Sequence, residues 1–411
     1  MVQNRRSAPG WARRRQPPRV AIEIINVFLL NIHERAASLD PRSMYRLVNR
    51  LLGYYVGDAG HGRRPIRRLG RPSSAPLATR GVRDYGPSPI AYRRFPQPFC
   101  WPEPPFDNAQ GAVRTATRAA WERINARLTD AGALLASLEQ GGIAARIISS
   151  PPEFIEDAGG NVPQDGYRRV NDAVADLVGK HPGRLYGLAS VDAYGGEPSA
   201  RELERGVRQL GLRGVFMPSA KGDLLPDAEA ARPTLAAAAA LQIPVFLHPV
   251  ADGQLFARFK RFGPLGMRLT RGTINSAALF AIIESGLFEE LPNLRVVVTA
   301  LALGGLLLAG TVGDGAKLHA RTPPPARRHV YIDTTGVHPA VIRSAVELLG
   351  ADHVLMGTDW PVVAEDDVGG RLQAALAAIG LGERERSIIS GGNALRLLGI
   401  DETARALSPL Q

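Results

Sequence analysis

From residue 111 onward, apolar positions follow two periods in turn. AVRTATRAAWERINARLTDAGALLASLEQGG, GYRRVNDAVADLVGKHP, PSARELERGVRQLG, DAEAARPTLAAAAALQ, SAALFAIIESGLFEELP and PAVIRSAVELLG carry the spacing of helices that bury one face. Between them stand short apolar runs: AARIISS (144–150), RLYGLASVD (184–192), LRGVFM (212–217), IPVFLH (243–248), LRVVVTA (294–300), RRHVYIDT (327–334) and HVLMGT (353–358). Together with VAIEIINVFLL (20–30), these make eight predicted strands. The later runs are continuous rather than alternating, as strands covered on both faces must be. Strict alternation of strand and helix over roughly 250 residues predicts a parallel (β/α)8 TIM-like barrel rather than an open doubly wound sheet. No G-x-G-x-x-G follows the first strand, so a dinucleotide site lacks its phosphate loop.

The N-terminal hundred residues read differently. Residues 1–19 are polar, basic and proline-broken, a tail ahead of one barrel domain over 20–411. That domain carries a Pro/Gly/Arg-rich insertion at about 56–110, with neither period. The insertion reads as a long loop, a disordered stretch, or a GC-rich gene translated out of frame. Of the net charge of +11, residues 1–100 hold 19 arginines and no lysine against 5 acids, or +14; the other 311 residues stand at −3. Basicity therefore belongs to an arm, and a solvated extension is a better reading than a nucleic-acid surface.

Hydrophobic content of 45% and charged content of 22% are those of a globular protein. No apolar run reaches the roughly 18 residues of a membrane helix. GTINSAALFAIIESGLFEELP is interrupted by Asn275, Ser276 and Glu284. No secretion signal is recognisable, and a single cysteine, Cys100, excludes an internal disulfide framework and a cysteine-type zinc site. A cytoplasmic location is expected.

In a (β/α)8 barrel, reactive groups sit at the C-terminal ends of strands. The strand ends here are Phe28-Leu29-Leu30, Ser149-Ser150 with Glu153 beyond, Asp192, Met217-Pro218-Ser219, His248-Pro249, Thr299-Ala300, Asp333-Thr334 and Asp359. His248 and Asp359 stand out as an imidazole and a carboxylate, both natural ligands for a divalent metal.

FLHP, ELPNLRVVVT, YIDTTG, ADHVLMGTDWP and IISGGNALRLLGI resemble, in order and spacing, the amidohydrolase-related family, which includes the aminocarboxymuconate-semialdehyde decarboxylases. The likeness covers roughly 130–400 and implies a distorted (β/α)8 barrel that hydrolyses or decarboxylates a small organic acid, ester or amide. It also implies a homodimer and a divalent metal such as zinc. Residue by residue, it places the family's barrel histidine at His248 and its metal-binding or proton-moving carboxylate at Asp359. The family's His-x-His falls on Phe28 and Leu30, its neighbouring acid on Asn26, and its strand-six histidine on Ala300 or Ala302. A mononuclear site needs about three or four protein ligands. Two remain unless Glu23, His33, Glu153 or Asp192 joins them, so a metal-free site competes with a metallo-site.

Each candidate also has a plainer reading. His248 suits a hydrogen-bonded core histidine, and Asp359 a helix N-cap. Trp360 serves either as an apolar wall for substrate or as packing. Arg258, Lys260, Arg261, Arg268 and Arg271 crowd what reads as a surface loop, from which an arginine such as Arg271 would meet a substrate carboxylate. His338 is expected to face solvent or a loop, and Asp333 to bond nearby backbone. His319, His329 and His353 precede strands and are expected to have structural roles only, and His61 lies in the irregular basic region. Two functions compete: an enzyme using Asp359 and His248 with Trp360 and Arg271 against substrate, and a degenerate relative that binds a small molecule or partner without turnover.

Overall fold

The computed structural model of the chain describes the backbone of 22–26, then 124, 126–128, 130–150, 162, 165–250, 252–311, 325–335, 338–362 and 367–400. The basic tail, the 56–110 insertion, Phe28, Leu30, His33, His61, Glu153 and His319 lie outside the described residues.

Among the described residues, nine strands in two parallel ladders realise the eight predicted ones. β1 (Ile22–Asn26), β2 (Ala145–Ser149) and β3 (Leu185–Gly187) form one ladder. The other holds β4 (Ala189–Ser190), β5 (Val215–Pro218), β6 (Pro244–His248), β7 (Arg295–Val298), β8 (Val330–Asp333) and β9 (Val354–Leu355). The predicted strand 184–192 thus divides at Leu188. Before it the chain pairs with β2, and after it with β5. Leu188 N still donates to the Ile148 carbonyl and Ala189 N to the Gly214 carbonyl, so the two ladders adjoin through one chain. Among the described residues no ladder joins β9 back to β1, although the closing segment Ile388–Leu397 touches both.

Helices return the chain between strands: α1 (Ala131–Gln140), α2 (Gly166–Lys180), α3 (Glu197–Arg208), α4 (Arg232–Ala240), α5 (Gly253–Phe259), α6 (Pro264–Glu284), α7 (Leu303–Thr311), α8 (Pro339–Leu349) and α9 (Val368–Ala378). Their buried positions fall at helical spacing, as with Val170, Val174 and Leu177 of α2, and pack on the strands' outer faces. The barrel interior is filled by a second cluster including Ile147, Leu188, Phe246, Val297, Tyr331 and Leu355.

The supposed arginine-rich loop after His248 is largely helical. α6 begins at Pro264, after Gly263 at φ +57°, rather than near Ser276 as the apolar pattern suggests. The polar residues that masked its course are consumed internally. Ser276 Oγ donates to the Gly272 carbonyl, and Asn275 is fully buried.

Candidate active site

Parallel register brings the ends of β5 to β9 to one rim, pairing Pro218 with His248 and Asp333 with Leu355. Helix α6 spans part of that rim and is fastened to three adjacent strand ends by Asn275. Its side-chain amide donates to Ser219 Oγ (2.7 Å) and the Leu247 carbonyl (3.3 Å), while its oxygen accepts from Thr299 N (3.3 Å) and Oγ1 (3.1 Å). Ser219 in turn donates through N (2.8 Å) and Oγ (2.9 Å) to the His248 carbonyl.

One turn before Asn275, Arg271 reaches the same rim. Its Nε donates to the Pro249 carbonyl (3.0 Å), and its terminal nitrogen lies 3.3 Å from His248 Nε2. A guanidinium only donates, so Nε2 accepts and the neutral ring carries its proton on Nδ1. That Nδ1 is buried without a hydrogen-bond partner, and the ring lies 4.9 Å from the Phe216 ring. Burial, followed by the Arg271 charge, holds the imidazole well below its ordinary pKa.

Asp359 follows β9 on a backbone with φ +58°, a left-handed conformation that Asp tolerates better than most residues. Asp359 is half-buried. Burial pushes its pKa up to about 6, with Asp333 adding to the rise and Arg271 opposing it. The N-cap alternative is not realised: α9 is capped by Asp367, whose carboxylate accepts from Gly370 N at 3.1 Å.

Asp333 is occupied with backbone, as expected. It accepts from Ala300 N (3.0 Å), Thr335 N (3.0 Å) and Thr335 Oγ1 (2.7 Å). Ala300, whose N–H is engaged here, is one of the two positions, with Ala302, where the resemblance expects a histidine. Asp192 binds Lys221 Nζ at 2.6 Å and Tyr194 N at 3.2 Å. Trp360 is 6% exposed, with the guanidinium carbon of the buried Arg146 lying 5.1 Å from its ring centre. His338 is exposed and caps α8 by accepting from Ala340 N. His329 and His353 bond the Leu294 and Val330 carbonyls at 2.7 and 2.8 Å, at the opposite rim.

A divalent cation does not fit the described residues. His248 and Asp359 contribute two donors, and no three His, Cys, Asp or Glu side chains group together among the described residues. The only lone pair of His248 faces the Arg271 guanidinium, and its other nitrogen is an N–H. A +2 ion and a guanidinium about 4 Å apart would repel by about 8 kcal/mol at an effective dielectric of about 20. In the sequence, positions 28 and 30 supply phenylalanine and leucine, neither of which coordinates.

A model of the amidohydrolase family matches residues 136–400. Gamma-resorcylate decarboxylase of a Polaromonas species is 26% identical over 304 residues, spanning 68% of this chain and 91% of that protein. The 2-amino-3-carboxymuconate-6-semialdehyde decarboxylase of Dictyostelium discoideum is 28% identical over 255 residues, 58% of this chain and 68% of that one. Among solved structures, 5-carboxyvanillate decarboxylase of Sphingomonas paucimobilis superposes with a TM-score of 0.61 at 20% identity, covering 93% of this chain and all of that one. Dihydroxybenzoic acid decarboxylase of a Polaromonas species, solved with manganese and 2-nitroresorcinol, superposes with a TM-score of 0.57 at 23% identity over 71% of this chain and 92% of that one. The structural likenesses support the barrel expectation, and the family match extends over the strand ends that carry His248 and Asp359. The chain belongs to the amidohydrolase family.

Proposed function

We propose that the chain decarboxylates a small aromatic carboxylic acid at the rim formed by His248, Arg271 and Asp359. What supports this reading is the Arg271 guanidinium tied at the rim beside His248, with the half-buried Asp359 carboxyl within its electrostatic reach. The relatives' names favour decarboxylation over ester or amide hydrolysis. Arg271 attracts the substrate carboxylate, a pairing for which the planar guanidinium is suited. His248, neutral and accepting from Arg271, orients that guanidinium. Asp359 in its acid form donates a proton to the ring carbon bearing the carboxylate. The carbon–carbon bond then breaks, carbon dioxide departs, and the released electron pair restores the ring. Asp359 is left as a carboxylate facing Arg271 and regains its proton from water.

Release of carbon dioxide from 2,6-dihydroxybenzoate and related hydroxybenzoates by the full chain tests this reading. We expect turnover, with kcat lowered about a hundredfold or more in Asp359→Asn. Saturable binding of these acids without any carbon dioxide would defeat it. That result would favour the non-catalytic binder to which Phe28 and Leu30 point.

A further inference from the structure

We propose that the Arg271 guanidinium takes the place of the divalent cation, so that His248 and Asp359 serve a built-in organic cation and bind no metal. This rests on the same site as the proposed decarboxylation but makes a separate claim about it.

The arginine is held by the fold rather than by chance of rotamer. Its Nε is tied to the Pro249 carbonyl beside the very histidine whose Nε2 it faces. Helix α6 is seated on the rim at close range around it. A Cβ on Gly272 would lie 2.8 Å from the Leu301 carbonyl oxygen, and one on Gly305 would lie 2.5 Å from Ser276 Cβ. With Asn275 bonded across three strand ends, the stretch from 271 to 276 has no room to withdraw. A metal at Nε2 would need the Arg271 side chain to swing away from His248 and give up its hydrogen bond to the Pro249 carbonyl.

The charge pattern agrees. A guanidinium is positive at every working pH and offers several N–H donors in one plane. It therefore supplies the attraction for a carboxylate that a metal otherwise provides, without needing three or four ligands. The sequence is consistent with this: where the resemblance expects two histidines it has Phe28 and Leu30, neither of which can coordinate an ion.

Manganese binding to the full chain, followed by the paramagnetic signal of free Mn²⁺, tests the claim without reference to turnover. We expect no bound manganese in the wild type beyond that lost on dialysis, and no change in its melting temperature with added Mn²⁺ or EDTA. Affinity for 2,6-dihydroxybenzoate should fall about tenfold or more in Arg271→Met, equivalent to about 1.4 kcal/mol, and added Mn²⁺ should not restore it. Arg271→Lys, which keeps the charge, should recover part of the loss. One equivalent of manganese bound by the wild type and released in His248→Ala would overturn the proposal, whether or not the protein decarboxylates anything. Restoration of ligand binding in Arg271→Met by manganese would overturn it too. Absence of turnover in a protein that binds no manganese would defeat only the decarboxylase reading.

Discussion

Asn275 shows how much of the site depends on a residue that touches no reacting atom. Its amide meets partners 28 and 56 positions away, including backbone groups, which leave no mark on a sequence. The one signal was a polar break in an apolar run. His248 and Asp359 stand out in the sequence because a ligand-type side chain closes each predicted strand; in the structure His248 ends β6 and Asp359 lies beyond the end of β9. Arg271 was visible as one of a cluster, but its singular position depends on the Pro249 carbonyl. Asn275→Leu should leave buried groups on several strand ends unpaired and lower stability by about 2–3 kcal/mol, measured by urea unfolding. Asp359 carries its own test. Because its pKa is pushed up to about 6, its acid form dominates below that value and is depleted above it. Decarboxylation with Asp359 as donor should therefore decline as pH rises through about 6. A rate that instead climbs through that range would remove Asp359 as the acid.

At the scale of elements, helices with an uninterrupted apolar stripe were foreseen and the strands were placed within a few residues. Departures have local causes. α6 begins earlier than its apolar pattern suggests because Asn275 and Ser276 spend their polarity inside the fold. The strand 184–192 divides at Leu188, next to Gly187, where a Cβ would sit 2.6 Å from Leu212 and 2.7 Å from Val174. The α6–α7 seat is equally close, so Gly305→Val should cost about 1–3 kcal/mol by overpacking and should also weaken ligand binding by shifting Arg271. The far rim makes a different prediction. Burial outweighs the carbonyl bonds of His329 and His353, and both pKa values lie below the ordinary one. The unfolded chain then binds more protons as pH falls below about 6.5, so stability should be full above that value and drop below it. His353→Gln, followed by urea midpoints between pH 7.5 and 5, should flatten this acid limb.

For the whole molecule, alternation of strand and helix was enough to read the architecture, because that rhythm has few solutions when both faces of a parallel sheet are covered. Ladder breaks and closure involve long-range pairing, and sequence spacing does not encode them. Charge is unevenly spread. Deleting residues 1–19 removes six arginines and no acid, lowering net charge from +11 to +5. Any retention on DNA at low salt should vanish in that truncation, and in the full chain by physiological ionic strength. Among the described residues no helix is long and apolar enough to cross a membrane. The seating of Arg271 beside His248 reaches furthest at this scale. A site whose cation is part of the polypeptide is charged from the moment it folds. Such a site has no loading step to wait for and no ion to surrender when a cell runs short of metal.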